Sequence, residues 1–290
     1  MTEDGVSVIV PTHEQWPLTR RTLEAVVRDC QLAGCAWEVI VVDNDSGPAF
    51  LAQAQAFAEQ DGRIRVIRRT GLGDRPFQPG AARNTGIEAA NHDCLVFLDA
   101  DCIPAASLVT TYWSHVRRGL PAVYLGARVF IDAAGLDPAA VAADRTLLDA
   151  APAAASVSNY GLPVDRRMDE LLTLHRHSRP WDCMYACNMA THREWLGSLR
   201  FNAVFDGYWG YEDIELGYRL HRAGLGFCYV PEAFAYHQEN LSLSPADRAQ
   251  GRTRNFAIAG QLIPGFIQYR QGVRRAGAVP DSFRSGWYAQ

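Results

Sequence analysis

"LVFLDADCIP", residues 95–104, decides the fold. Four apolar residues run without a break into Asp99, and a second carboxylate, Asp101, follows two places on. A short, wholly apolar run of this kind reads as a strand buried on both faces. In open α/β sheets, ligands collect beyond the carboxyl ends of such strands. Residues two apart in an extended segment point the same way. Asp99 and Asp101 are therefore predicted to face one spot, as a hard cation such as Mg²⁺ or Mn²⁺ requires. The alternative is a turn with both acids facing water; two acids after an apolar strand favour a site.

Working outward, the runs "VSVIV" (6–10), "WEVIVVD" (37–43), "RIRVIR" (63–68) and "CLVFLD" (94–99) read as strands. Helical patterns at 17–33, 49–60 and 81–90 separate them, the first with Pro17 near its start. Alternation of helices with nearly all-apolar strands predicts an α/β fold: a mostly parallel central sheet covered by helices on both faces. Beyond residue 104 the pattern predicts a helix near 105–118 and one strand, "AVYLGARVFI" (122–131). Residues 132–165, rich in Ala, Pro and Asp, fit either a helical excursion or a loop. Order returns at "WDCMYACNMATHREWL" (181–196), followed by a helix at 211–223 and short strands "GFCYV" (226–230) and "AFAYH" (233–237). The tail shows one helical stretch near 252–270. No internal repeat or low-complexity linker divides the chain, so 1–290 reads as a single elaborated domain. Its parts would be a nucleotide-sugar half (1–104), an acceptor and catalytic half (105–240) with a variable insert (132–180), and a tail (241–290).

Composition excludes some classes. The net charge of −4 and pI of about 6.1 offer no basic patch for a nucleic-acid backbone. The first apolar run, "VSVIVP", is too short for a signal peptide core or a membrane span, so the cytoplasm is the expected location. Seven cysteines, an odd number with no C-x-x-C pair, are expected to be thiols rather than disulfides or a zinc site.

"WGYEDIELGYRLHRAG" (209–224) carries the second acidic pair. On a helix turning about 100° per residue, Asp213 shares a face with Leu216, Gly217 and Leu220. Glu215, Arg219 and Arg222 fall opposite, and Glu212 is expected on the polar side near Arg219. A carboxylate on the apolar face is costly unless it has a task, so Asp213 is a candidate catalytic residue, although acids also favour helix starts for structural reasons. In "RPFQPGAARNTG" (75–86), Gly80, Arg83 and Asn84 open a helix whose amides, with Arg75 and Arg83, suit an anion. His237 ends a strand and by itself is more often structural than a ligand. "VIVPTHEQ" is not G-x-G-x-x-G, which argues against a dehydrogenase.

Together "VSVIVPTHE", "EVIVVDNDS", "GAARNTGI", "LVFLDADCIP" and "WGYEDIELGYRLHRAG" resemble the family 2 inverting glycosyltransferases of the GT-A fold. The second half is similar to chondroitin-polymerase-like and β-1,4-galactosyltransferase domains, which carry a W-G-x-E-D motif and a later histidine. The resemblance implies a nucleotide-sugar donor, a UDP-sugar by expectation, held by Pro11, Thr12, His13, Glu14, Asp43, Asn44, Arg83, Asp99 and Asp101. It implies Mn²⁺ (or Mg²⁺) on Asp101 and His237, with Asp99 nearby, and an imidazole ligand tilts the choice toward Mn²⁺. Asp213 would be the base and Glu212 would orient the acceptor, against a wall of Trp181, Tyr208, Trp209 and Tyr211. The acceptor would be a hydroxyl of a glycan, natural product or peptide. Two other classes stay open: a binding module that holds a sugar nucleotide without turnover, and a sugar nucleotidyltransferase. "PTHEQWP" lacks the glycine-rich basic loop that the latter needs.

Overall fold

The computed structural model describes residues 4–72, 77–154, 164–238 and 244–276. Arg75, named above with Arg83, lies outside the described residues. Among the described residues ten strands form two sheets. β1 (Gly5–Thr12), β2 (Ala36–Asn44), β3 (Ile64–Arg69) and β4 (Cys94–Leu98) pair in parallel in the order β3-β2-β1-β4. Three more strands extend that sheet past β4: β8 (Asn188–His192), β6 (Ala122–Leu125) and β9 (Gly226–Tyr229). β8 runs antiparallel to both neighbours, while β6 and β9 are parallel, so the predicted mostly parallel sheet is what forms. β5 (Cys102–Pro104), β7 (Arg128–Ile131) and β10 (Ala235–Gln238) make the small second sheet, order β5-β10-β7.

Helices α1 (Trp16–Leu32), α2 (Pro48–Ala58) and α3 (Pro79–Ala89) are the crossovers of the parallel half, each with proline in its first turn. α4 (Leu108–Val116) packs on the face that α1 covers. Both sides of β1 are buried: Val6, Val8 and Val10 lie in one core cluster and Ile9 in the other, and the one polar side chain between them, Ser7, is satisfied by Glu38. This explains the largely apolar strand sequences.

The single strand expected over 122–131 is two. β6 stays in the main sheet and β7 joins the small one. The break is at Gly126, where an added Cβ would lie 2.0 Å from the Ala233 carbonyl oxygen and 2.2 Å from Asn188 Nδ2. Buried Asn188 fixes the divergence by donating to the carbonyls of Ala127 and Ala233 while accepting from Tyr112. Local propensity could not reveal this, because the partner is 62 residues away in the chain.

Residues 132–154 resolve as the helical excursion: α5 (Pro138–Ala143), α6 (Thr146–Asp149) and their turns. Two arginines tie them to the domain. Arg21 of α1, 6% exposed, donates to the carbonyls of Ala134 and Leu136, and Arg145 reaches those of Ala25 and Pro104. α7 (Met168–Leu172), α8 (Arg193–Leu196) and α9 (Glu212–Arg222) follow. The tail is two helices rather than one, α10 (Pro245–Leu262) and α11 (Phe266–Ala276), broken at Pro264-Gly265, where Gly265 takes a φ of +70°. No helix among the described residues is long and apolar enough to cross a membrane. The described cysteines carry no disulfide; Cys30, Cys94, Cys102, Cys183 and Cys187 are buried thiols.

Candidate active site

A cavity of about 860 Å³ opens at the carboxyl end of the parallel strands, where the strand order reverses between β1 and β4. Its walls come from the end of β1, the Asp99–Asp101 turn, the loop into α9, His237 of β10, and α10 and α11.

The floor is built first. After β1 the chain turns through Glu14 and Gln15, both at positive φ, 53° and 59°. Asp45 after β2 takes the same conformation. The two turns lock together: His13 Nδ1 lies 2.8 Å from the Asn44 carbonyl oxygen, and Gly47 N donates to Glu14 Oε1 at 2.5 Å. Pro11, Thr12, His13, Glu14 and Asn44 all line the cavity. Asp43 does not. It is fully buried, accepts from the Ser46 amide and lies 3.9 Å from Arg68, and burial raises its proton affinity. Its contacts support the turn rather than reach into the cavity.

The Asp101–His237 corner is made by strand register. β10 pairs antiparallel with β5, placing His237 opposite Cys102. His237 Nε2 then lies 3.7 Å from Asp101 Oδ1. Phe130 stacks on the imidazole at 4.8 Å, and Nδ1 lies 2.9 Å from the Gln238 carbonyl oxygen. A carbonyl only accepts, so Nδ1 donates there, and Nε2 is the ring nitrogen turned toward the carboxylate. Asp101, Cys102 and His237 bring ligand atoms within 4.8 Å of one another. A carboxylate, an imidazole nitrogen and a thiol so placed are a donor set that fits a divalent cation. Asp99 stands outside this group. One of its oxygens accepts from Arg83 Nη2 at 2.5 Å, which draws it toward α3.

The paired carboxylates come from the start of α9. Gly207, Gly210 and Tyr211 take positive φ, and Tyr211 caps the helix at 75°. The chain therefore doubles back before Glu212. Glu212 pairs with Arg83 (3.4 Å), not with Arg219 as the helical wheel predicts. Arg219 instead grips Glu215 with two bonds of 2.8 Å. The reason is that α3 packs here: a Cβ on Gly80 would lie 3.5 Å from Glu212 Cγ. Asp213 does lie on the side of Gly217, whose missing side chain admits Met184 and the Trp181 carbonyl. Burial and the neighbouring Asp213 charge raise the Glu212 carboxyl to about 7 despite Arg83. Asp213 is also raised by burial, against Arg83 and the amides of Ile214 and Ala186.

Of the aromatic wall, Tyr208, Trp209 and Tyr211 line the cavity and Trp181 does not. Trp181 is 3% exposed, packed edge-on to Tyr218 and against Phe266. It is core, because the apolar face of α9 needs cover. The sequence reading missed Gln78, Tyr185 and the cavity-facing arginines of the tail. Arg248 and Arg252, four apart on α10, were the available signal, since like charges at that spacing repel.

Residues 7–141 match the family model "Glycosyl transferase family 2". The chain is 27% identical over 270 residues to chondroitin synthase of Pasteurella multocida, covering 90% of this chain and 27% of that protein. It is 29% identical over 253 residues to validoxylamine A glucosyltransferase of Streptomyces hygroscopicus subsp. limoneus, covering 82% of this chain and 54% of that one. The chain thus spans only part of these relatives' length. Among solved structures it resembles GalNAc-T7 with UDP, GalNAc and Mn²⁺ (TM-score 0.58, 18% identity, 86% of this chain and 47% of that one). It also resembles the mannosyltransferase PcManGT of Pyrobaculum calidifontis in complex with GDP-Man and Mn²⁺ (TM-score 0.53, 18% identity, 96% and 66%). The fold is GT-A. More narrowly, the segment 7–141 is similar to the family 2 glycosyltransferases.

Proposed function

We propose that this chain is a metal-dependent inverting transferase that moves a hexose or N-acetylhexosamine from a nucleotide sugar, by expectation a UDP-sugar, to an acceptor hydroxyl. One observation carries the reading: the Asp101–His237 corner and the Glu212-Asp213 pair of raised proton affinity line the same cavity. Mn²⁺ beside a nucleotide or nucleotide sugar in both structural relatives supports it.

Asp101 and His237 would hold the cation, with Cys102 adjacent. When bound, the cation neutralises charge that develops on the leaving nucleoside diphosphate. The turns at Pro11–Glu14 and Asn44 receive the nucleoside. Arg83, gripped between Asp99 and Glu212, keeps the free Asp99 oxygen toward the donor's hydroxyls. Asp213 takes the acceptor's proton as the acceptor oxygen bonds to the anomeric carbon and the bond from that carbon to the diphosphate breaks. Attack from the opposite face inverts the centre. A base works best when its pKa approaches the working pH, and burial moves Asp213 in that direction. Glu212 orients the acceptor, and Tyr208, Trp209 and Tyr211 give the sugar an apolar surface.

The test is a panel of UDP-, dTDP- and GDP-sugars with Mn²⁺, scored for slow nucleoside diphosphate release. Release from one donor supports the reading. Metal-dependent binding without turnover, acceptors supplied, favours the binding module. Pyrophosphate release from a nucleoside triphosphate and a sugar phosphate favours the nucleotidyltransferase.

A further inference from the structure

We propose that Arg128 binds the donor's β-phosphate, the one bonded to the sugar, and takes up charge that the cation at Asp101 and His237 leaves on the departing diphosphate. This rests on the transferase reading and adds a residue to it.

The strand split at Gly126 puts Arg128 in position. Because the chain leaves the main sheet there, Arg128 opens β7 in the small sheet. It pairs with Ala235 of β10, two places before the pair of Phe130 with His237. Side chains two apart on a strand point the same way, so Arg128 shares a face with Phe130. His237 stacks on Phe130 at 4.8 Å, and the Arg128 guanidinium lies 5.2 Å from the centre of the same ring. Arg128, Asp101 and His237 all line the cavity. The backbone under Arg128 is held along both edges: β10 pairs on one, and Val129 and Ile131 bridge to Val164 and Ala153 on the other.

The protein uses only part of this guanidinium. Nε donates to Asp165 Oδ2 at 3.2 Å. Arg167 holds both oxygens of that carboxylate, from Nε at 2.9 Å and from Nη2 at 2.5 Å, so Asp165 is fixed in place. The Tyr185 ring flanks the Arg128 guanidinium at 5.1 Å. Among the described residues, neither Nη1 nor Nη2 of Arg128 has a hydrogen-bond partner, and neither is sealed from solvent. Most of a guanidinium's donors sit on those outer nitrogens. A planar fork steadied by a carboxylate and two rings thus keeps its outer donors for a ligand.

Chemistry and topology both point to the β-phosphate. A nucleoside diphosphate carries more negative charge than one divalent cation offsets, and that charge grows as the bond to the anomeric carbon breaks. Phosphate oxygens accept paired, charge-assisted hydrogen bonds from a guanidinium. Arg83 is not available for this, being 3% exposed and spent on Asp99 and Glu212. In the order β5-β10-β7, β5 packs on α1, which starts just after the Pro11–Glu14 turn. His237 is one strand further from that nucleoside end and Arg128 two, which places Arg128 toward the sugar.

The experiment is calorimetry on the full chain with Mn²⁺ and matched nucleotides: UDP against UMP, dTDP against dTMP, and GDP against GMP. For the pair that binds, Arg128→Gln is expected to weaken the diphosphate about tenfold or more and the monophosphate less than about twofold. Should the glutamine variant lack the parent's circular dichroism spectrum, Arg128→Lys decides instead. It keeps a charge beside Asp165 but loses the fork, and should weaken the diphosphate about threefold or more with the monophosphate within about twofold. The proposal is overturned if the diphosphate keeps its affinity. It is also overturned if both nucleotides weaken alike, since Arg128 then supports the pocket rather than the phosphate. No nucleotide bound by the unaltered chain would overturn the transferase reading itself, whereas nucleotide binding that ignores Arg128 would overturn this assignment alone.

Discussion

His237 Nε2 stands 3.7 Å from Asp101 Oδ1, although 136 positions separate them in the chain. Three strands of the small sheet create the contact, and Phe130 holds the ring in place. If these two groups share a cation, each is needed for it. His237→Ala and Asp101→Asn are each expected to weaken Mn²⁺ binding by about tenfold or more, with an unchanged circular dichroism spectrum. Mn²⁺ affinity equal to that of the parent in either variant, measured by titration, would contradict the assignment.

The tail is part of the site. Asn255 of α10 donates to the carbonyls of Tyr208 and Gly210, and a Cβ on Gly251 would lie 2.6 Å from Trp209 N. Gly251→Val should push α10 off the loop that delivers Glu212 and Asp213. Asn255→Ala should free two carbonyls at a cost of about 1–3 kcal/mol. Both variants are expected to lose turnover more than Mn²⁺ affinity. Unchanged turnover in both would show that the helix is dispensable.

Asp165 lies fully buried between Arg128 and Arg167, and the two cations hold its carboxyl well below the usual range against the effect of burial. Asp165→Asn leaves two buried guanidiniums without a countercharge. Urea unfolding should show a loss of about 3–5 kcal/mol. A loss below about 1 kcal/mol would mean that the carbonyls of Cys183 and Gly126 suffice for Arg167.

Glu212, raised to about 7 by burial and by Asp213, makes a signed prediction for the metal-free protein. Its folded value exceeds the ordinary glutamate value of about 4.3. The folded state therefore binds more protons between those values, and stability falls as pH rises through about 7. Other raised carboxyls add to the slope, so the readout is a difference. With EDTA present, the fall in melting temperature from about pH 5 to 8 should be smaller in Glu212→Gln than in the parent. Equal slopes would show that Arg83 already keeps Glu212 ionised.

The parallel half of the fold was legible because its strands are short, largely apolar runs separated by helical patterns, the first of which starts at Pro17. Asp99, Asp101 and Asp213 stood out because each sets a carboxylate against apolar sequence, but Asp99 and Asp101 were expected to face one spot from an extended segment, and the turn through Ala100 instead sends Asp99 to Arg83 and Asp101 toward His237. What the sequence hid depends on distant partners. Gly126 splits a strand because of Asn188, Glu212 turns to Arg83 because α3 packs there, and Trp181 covers α9 rather than a ligand. The tail's contribution was illegible because its arginines acquire meaning only where α10 and α11 meet the cavity.

The central claim is that one corner of the cavity binds the donor's diphosphate through a cation and the start of α9 supplies the base. The most direct measurement is nucleotide-sugar binding and nucleoside diphosphate release, with Mn²⁺, by Asp101→Ala and Asp213→Asn beside the unaltered chain. The account predicts that Asp101→Ala loses binding, while Asp213→Asn binds the donor normally and turns over about 10²–10⁴-fold more slowly with the acceptor present. Turnover by Asp213→Asn at the parent rate, or donor binding that ignores both Asp101 and the metal, would contradict it.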